Sequence, residues 1–207
     1  MSKVTIIGTG NIGTAVATLA QRAGAEVQVL ARDEAKSAAL AQQVGGTSGT
    51  VGDDVQGDIV VLAVPYGALA ELAAAYGTRL DGKVVVDVTN PLDFTTFDSL
   101  TVPADSSATA ELQAALPGAR VVKAFNTTFA GALASGQTGG VPTTVLVAGD
   151  DDAARGQVVD LVTGAGLAAL SAGALKRARE LEAVAFLQMT LAAQEAISWN
   201  GGLALQK

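Results

Sequence analysis

"KVTIIGTGNIGTAVA", residues 3–17, runs from a short apolar stretch straight into a glycine turn and then into small, helix-favouring residues. Its spacing is Gly8-x-Gly10-x-x-Gly13. Such a turn between a strand and a helix can cradle a dinucleotide. Gly8 permits the tight turn, Gly10 removes the side chain that would block a pyrophosphate, and Gly13 lets the helix sit close to the sheet. The next helix, expected over 11–23, then points unsatisfied N–H groups and a positive dipole end at the phosphates. Taken alone, the glycines would serve any sharp turn. The residues beyond the turn decide between cradle and plain turn.

After the turn the chain alternates strand and helix with short connections. Strands are expected at 3–7, 26–31, 58–64, 83–88, 120–124, 143–148 and 167–171, with a short edge strand within 45–50. Helices are expected at 11–23, 33–44 (Asp33 capping), 66–76, 108–116 and 151–164, and a long one at 174–198. Residues 58–64, DIVVLAV, are almost continuously apolar, as in a parallel strand buried on both faces. The pattern predicts an α/β fold with a doubly wound parallel (Rossmann) sheet, followed by a small α/β C-terminal extension that ends in the long helix. Right-handed crossovers put every β-to-α turn on one edge, where such sheets bind ligands. The expected division is a dinucleotide-binding domain over 1–124 and a small domain over 125–207 that completes the acceptor cleft. Residues 90–107 form a long loop with two prolines, and 135–142 are expected to be flexible. The apolar stripe of the last helix is wide enough for two surfaces, so a homodimer is expected.

Composition narrows the chemistry. The 207 residues carry a net charge of -7, which argues against nucleic acid and anionic membranes as partners. There is no cysteine and no histidine, so thiolate nucleophiles, Cys-bound metals and the commonest general base are all missing. No metal site and no catalytic side chain are expected. The first strand begins by residue 3, leaving no room for a signal peptide, and the apolar stretch 59–77 is broken by Pro65, Gly67 and Glu71, so a cytoplasmic location is expected.

The end of the second strand distinguishes NADP from NAD. An NAD site places Asp or Glu there to bind the ribose 2′-hydroxyl. Here the stretch is Leu30-Ala31-Arg32-Asp33-Glu34-Ala35-Lys36. Arg32 stands where the acid would be and Lys36 lies a helical turn further on, a pairing suited to a 2′-phosphate, with the Thr9 hydroxyl as an added donor. In the alternative, Asp33 takes the ribose and both cations are solvated surface charges. Two further turns lie on the same edge, Ala63-Val64-Pro65-Tyr66 and Thr89-Asn90-Pro91, and would flank the nicotinamide. Tyr66 is open between site residue and rim aromatic, and Lys123 reads as a strand-end charge rather than a catalytic group.

On these residues the chain resembles the NADPH-dependent reductases of the 5-deazaflavin coenzyme F420. The resemblance rests on the opening glycine motif, "AR…K" after the second strand, "AVP" at 63–65, "VTNP" at 88–91, "VVKAFNTTFA" at 121–130, "VAGDDDAA" at 147–154 and "GALKRARELE" at 173–182. Cytoplasmic domains of metalloreductases share the same segments. The resemblance implies that Thr9, Arg32 and Lys36 hold the 2′-phosphate of NADP and that Gly8, Gly10, Asn11, Ile12 and Gly13 hold the pyrophosphate. It implies Ala63, Val64, Pro65 and Asn90 around the nicotinamide, and Ala124, Phe125, Asn126 and Thr127 facing the second ring system. Two positions depart from the archaeal deazaflavin enzymes: Ala31 replaces a serine before the arginine, and Asn126 replaces a histidine.

The implied function is hydride transfer between NADP(H) and coenzyme F420. The alternatives are FMN, FAD or a quinone as acceptor, or a non-catalytic NADP-binding sensor or subunit. Transfer between two cofactor rings needs no strong protein acid or base. It needs the reacting atoms about 3–3.5 Å apart with water excluded. Only some 35 residues come after the last β-α-β unit, so the expected partners are planar small-molecule cofactors docked in a shallow cleft.

Overall fold

The computed structural model describes residues 2–205. Its strands are β1 Lys3–Ile7, β2 Glu26–Ala31, β3 Thr47–Thr50, β4 Ile59–Leu62, β5 Val84–Asp87, β6 Arg120–Ala124, β7 Gln137–Thr138, β8 Val141–Pro142, β9 Thr144–Gly149 and β10 Ala168–Gly173. Its helices are α1 Asn11–Arg22, α2 Glu34–Val44, α3 Leu69–Tyr76, α4 Ala108–Ala115, α5 Ala130–Ser135, α6 Asp152–Gly164 and α7 Ala178–Ala193. Eight strands form one sheet in the order β10-β9-β6-β5-β4-β1-β2-β3, and β7 pairs with β8 apart from it. β4 lies beside β1 on the far side from β2, so the winding reverses there. That reversal is the doubly wound Rossmann topology, and the crevice above it is where ligands bind in such sheets.

Period-two alternation sorts the central strands onto two cores. Val4, Ile6, Val29, Ile59, Val61, Val84 and Val86 face α1, α2 and α6. Ile7, Leu30, Val60, Leu62, Val85 and Val121 face α3 and α4. Nearly every one of these side chains is fully buried, and each contributes about 1.5–3 kcal/mol of apolar transfer free energy.

The parallel expectation holds for six strands and fails at one step. β9 pairs antiparallel to β6, with Ala124 opposite Val147 and Val122 opposite Gly149, and β10 then runs parallel to β9. The connection explains the reversal. Between β6 and β9 the only helix is α5, six residues long. The rest of the connection folds back on itself as the β7–β8 hairpin, so no long crossover helix returns the chain across the sheet, and β9 starts near the edge where β6 ends.

Three other expectations change. Residues 135–142 hold the small β7–β8 hairpin, closed by Gly139 and Gly140 at φ +58° and +85° as a mirror-image two-residue turn requires. The last helix is shorter than expected. A 3-10 turn covers Leu175–Arg177, and α7 stops at Ala193, where Glu195 takes φ +60°. Residues 66–76 split likewise into a 3-10 turn, Tyr66–Ala68, and α3.

Candidate nucleotide and acceptor site

At the end of β1 the backbone leaves no choice of residue. Gly8 has φ +114°, and a Cβ there would lie 2.1 Å from the Ala63 carbonyl oxygen. Gly13 sits on the first turn of α1, where a Cβ would lie 2.2 Å from the Gly8 carbonyl oxygen, so the helix is docked against the turn itself. Gly10 is different. It caps α1 at φ -74°, and nothing lies within 4 Å of the Cβ it lacks. Its missing side chain therefore opens space rather than relieving a clash. No side chain caps α1, whereas Asp33, Ser107 and Asp151 cap α2, α4 and α6. The first N–H groups of α1 are thus left for an anion, and the residues fit a dinucleotide's pyrophosphate.

Two clefts flank this turn at the same sheet edge. The first, about 510 Å³, is lined by Gly8, Thr9, Gly10, Ala31, Arg32, Asp33, Lys36, Ala63, Val64 and Pro65, among others. The second, about 830 Å³, is lined by Asn11, Ile12, Val88, Asn90, Phe125, Asn126, Phe129, Met189 and Trp199, among others. Of the residues expected at the site, only Gly13, Ala124 and Thr127 line neither. Gly13 acts through helix docking, Ala124 is fully buried in the core beneath, and the Thr127 carbonyl accepts from Gln188 Nε2 at 3.1 Å.

The strand-end charges divide their work. Asp33 Oδ1 accepts the backbone N–H of Ala35 at 3.0 Å and of Lys36 at 3.3 Å, so that oxygen starts α2. Lys36 Nζ stands 3.9 Å from the other oxygen and is largely exposed. Arg32 is exposed and, among the described residues, makes no side-chain hydrogen bond or ion pair. It is an uncommitted guanidinium at the cleft mouth. Ala31, buried beside it, supplies no hydroxyl.

In the second cleft Phe125 is fully buried with φ +65°, a conformation costing about 1–3 kcal/mol for such a residue and held only by its surroundings. The next residue, Asn126, is bound to Asn90 twice: its Nδ2 donates to Asn90 Oδ1 at 3.0 Å, and Asn90 Nδ2 donates to its backbone oxygen at 3.2 Å. Asn126 Nδ2 also donates to the Leu181 carbonyl at 3.1 Å. Asn126 Oδ1 is buried and has no partner, and the same holds for Thr89 Oγ1. Of the two, Asn126 Oδ1 belongs to a residue of the cleft wall, and an orphaned buried polar atom there marks where a polar ligand can complete the bonding. Phe129 and Trp199, 5.2 Å apart and tilted, wall off one end.

Sequence reasoning missed the group beneath this wall. Lys123, read from the sequence as a strand-end charge, does stand near the end of β6 but is fully buried. Its Nζ donates to Asp87 Oδ2 at 3.0 Å, Glu182 Oε1 at 2.8 Å and the Thr89 carbonyl at 2.6 Å. Burial pushes the Glu182 carboxyl above the ordinary carboxylate range, against the opposing pull of Lys123. The signal was present: strand positions 87 and 123 sit among apolar neighbours at inward register. Tyr66 turns out to bond Glu111 Oε2 at 2.6 Å beside a smaller cavity between α3 and α4, and that bond, with burial, raises its pKa to about 12.

Residues 3–91 match the family model described as NADP oxidoreductase coenzyme F420-dependent. The chain is 31% identical to metalloreductase STEAP3 of Rattus norvegicus over 88% of its own length and 36% of that protein's. It is 31% identical to the F420-dependent NADP reductase of Methanocaldococcus jannaschii over 62% of its length and 59% of that protein's. The chain thus spans between about a third and three fifths of these curated relatives. Among solved structures, a candidate F420-dependent NADP-reductase from Arthrobacter sp. FB24 superposes over 100% of both chains with a TM-score of 0.87 at 25% identity. Among the described residues no helix is long and apolar enough to cross a membrane.

Proposed function

We propose that this chain, whose residues 3–91 match the NADP oxidoreductase coenzyme F420-dependent family model, transfers a hydride between NADP(H) and a deazaflavin of the coenzyme F420 type. The observation that carries the NADP half is the division of labour after β2. Asp33 is engaged at the N-terminus of α2, while Arg32 and Lys36 stand at the cleft mouth with the Thr9 turn. A 2′-phosphate carrying close to two negative charges satisfies both cations, and a bare ribose would satisfy neither.

In this reading the nucleotide runs from Arg32 and Lys36, across the space Gly10 leaves, to the second cleft. The Ala63-Val64-Pro65 turn, on the wall of the first cleft, and Asn90, on the wall of the second, hold the nicotinamide between them. Phe125, Asn126 and their neighbours hold the acceptor ring, with residues 1–124 serving the nucleotide and 125–207 the acceptor. When bound, the nicotinamide and the deazaflavin supply the redox chemistry of hydride transfer between them. The residues of this chain orient the two rings, exclude water and supply hydrogen-bond partners. Asn126 in place of a histidine keeps a flavin open as the acceptor. The exposed apolar side chains Leu187, Trp199 and Leu203 are the proposed homodimer surface.

The test mixes purified protein with NADPH and oxidised F420, and separately FMN, following absorbance at 340 nm and in the acceptor band. Turnover with F420 supports the proposal. Turnover with FMN alone replaces the acceptor. Tight NADPH binding without turnover of either supports a sensor and overturns it.

A further inference from the structure

Two acceptors hold the NH2 group of Asn126, and each is one residue away from a group clamped on the same ammonium. Asn90, whose Oδ1 accepts from Asn126, comes directly after Thr89, whose carbonyl accepts from Lys123 Nζ. Leu181, whose carbonyl accepts from Asn126, precedes Glu182, whose carboxylate accepts from Lys123 Nζ. The third proton of Lys123 goes to Asp87, its Cα partner across β5 and β6. The cluster is closed on its other sides: Thr89 N and Thr109 Oγ1 donate to Asp87, and Ala108 N donates to Glu182. One ammonium thus joins β5, the turn after it, β6, the start of α4 and α7.

We propose that the buried Asp87–Lys123–Glu182 cluster is a positioning device: it holds Asn90 and Leu181 so that the carboxamide of Asn126 keeps its NH2 inward and its oxygen as the free acceptor for an N–H donor of the bound acceptor ring. Three ionisable side chains within 3.0 Å contacts in a dry site add little stability compared with well-packed apolar residues, so stability alone is a weak reason for them. The consequence visible in the bonding is orientational. Asn126 faces two oxygens, so its nitrogen has to point at them, and the carboxamide oxygen is left without a donor. The identity of the donor rests on the proposed reading of the acceptor cleft, whereas the orientation of the carboxamide does not.

The experiment uses the ligand-free protein first. Lys123→Met leaves two buried carboxylates facing each other and is expected to fold poorly, so Glu182→Ala and Glu182→Gln are the working pair. Ala retains a charge-balanced Lys123–Asp87 pair but removes the hold beside Leu181, and Gln preserves the acceptor to Lys123. In 15N-labelled wild-type protein the Asn126 side-chain amide is expected as one slowly exchanging pair of signals. Glu182→Ala should double or broaden that pair, and Glu182→Gln should restore it. With acceptor and NADPH present, Ala should raise the acceptor KM or lower kcat about tenfold while the NADPH Kd stays within about twofold, because the phosphate end is held in the other cleft. A folded Glu182→Ala variant with wild-type Asn126 signals overturns the proposal. If wild-type protein turns over no acceptor, the proposed function fails while the amide measurement still decides this one.

Discussion

The carboxylate of Asp33 accepts the backbone N–H of Lys36 at 3.3 Å, three residues along at the start of α2. The acid closest to the expected ribose position is therefore a helix cap, and its neighbour Arg32 is the group free to meet a ligand. Removing the guanidinium should separate the two nucleotides. Arg32→Ala is expected to weaken NADPH about 10- to 100-fold, the worth of a charge-assisted contact, and to leave NADH within about twofold. Titration calorimetry with each nucleotide checks it; an equal loss for both would contradict the assignment.

Asp33→Ala should behave in the opposite way. Loss of the cap is expected to lower stability by about 1 kcal/mol, read as a drop in Tm, without changing the preference for NADPH over NADH. A collapse of NADH binding with Tm unchanged would instead make Asp33 a ribose ligand.

Two glycines of one motif should respond differently to the same methyl group. Gly13→Ala brings Cβ within 2.2 Å of a backbone oxygen and should destabilise the fold severely. Gly10→Ala meets no atom within 4 Å and has φ -74°, so the protein should fold with near-normal Tm. Its NADPH affinity should fall about tenfold or more, since the methyl occupies the space assigned to the pyrophosphate. Equal NADPH binding by the folded Gly10→Ala protein would place the phosphates elsewhere.

Tyr66 carries a pH signature. Its hydroxyl, bonded to Glu111, has a pKa raised to about 12 from 10.0. The folded state therefore retains a proton that the unfolded state releases first. The stability from this bond is present below pH 10 and is lost as pH rises through about 12. In Glu111→Gln the tyrosinate absorbance at 295 nm should develop at lower pH than in wild type. Coincident titrations would show that Glu111 is not the cause.

Much of this molecule was readable in one dimension. The Gly8-x-Gly10-x-x-Gly13 spacing, the apolar runs of β4 and β5 and the capping position of Asp33 are local, and local sterics and period-two burial read directly from neighbouring residues. Most residues expected at the site do line the two clefts, because strand ends and the turns after them share one edge in a parallel sheet. The antiparallel β9 was not readable, since a strand's direction depends on how the connection before it folds and not on the strand's own residues.

Local pattern, then, determined the sheet's strands and most of the helices, though not α5 or the β7–β8 hairpin, together with the glycine cradle and the cation just after β2, because each arises from backbone geometry or side-chain chemistry within a few residues. Tertiary structure alone decided that Asp87, Lys123 and Glu182 meet, that Asn90 and Leu181 share one amide, and that Tyr66 finds Glu111. These partners lie tens of residues apart. A charged or polar side chain carries no mark of its partner in its own neighbourhood; only packing the strands and helices around a dry interior forces such groups to find one another.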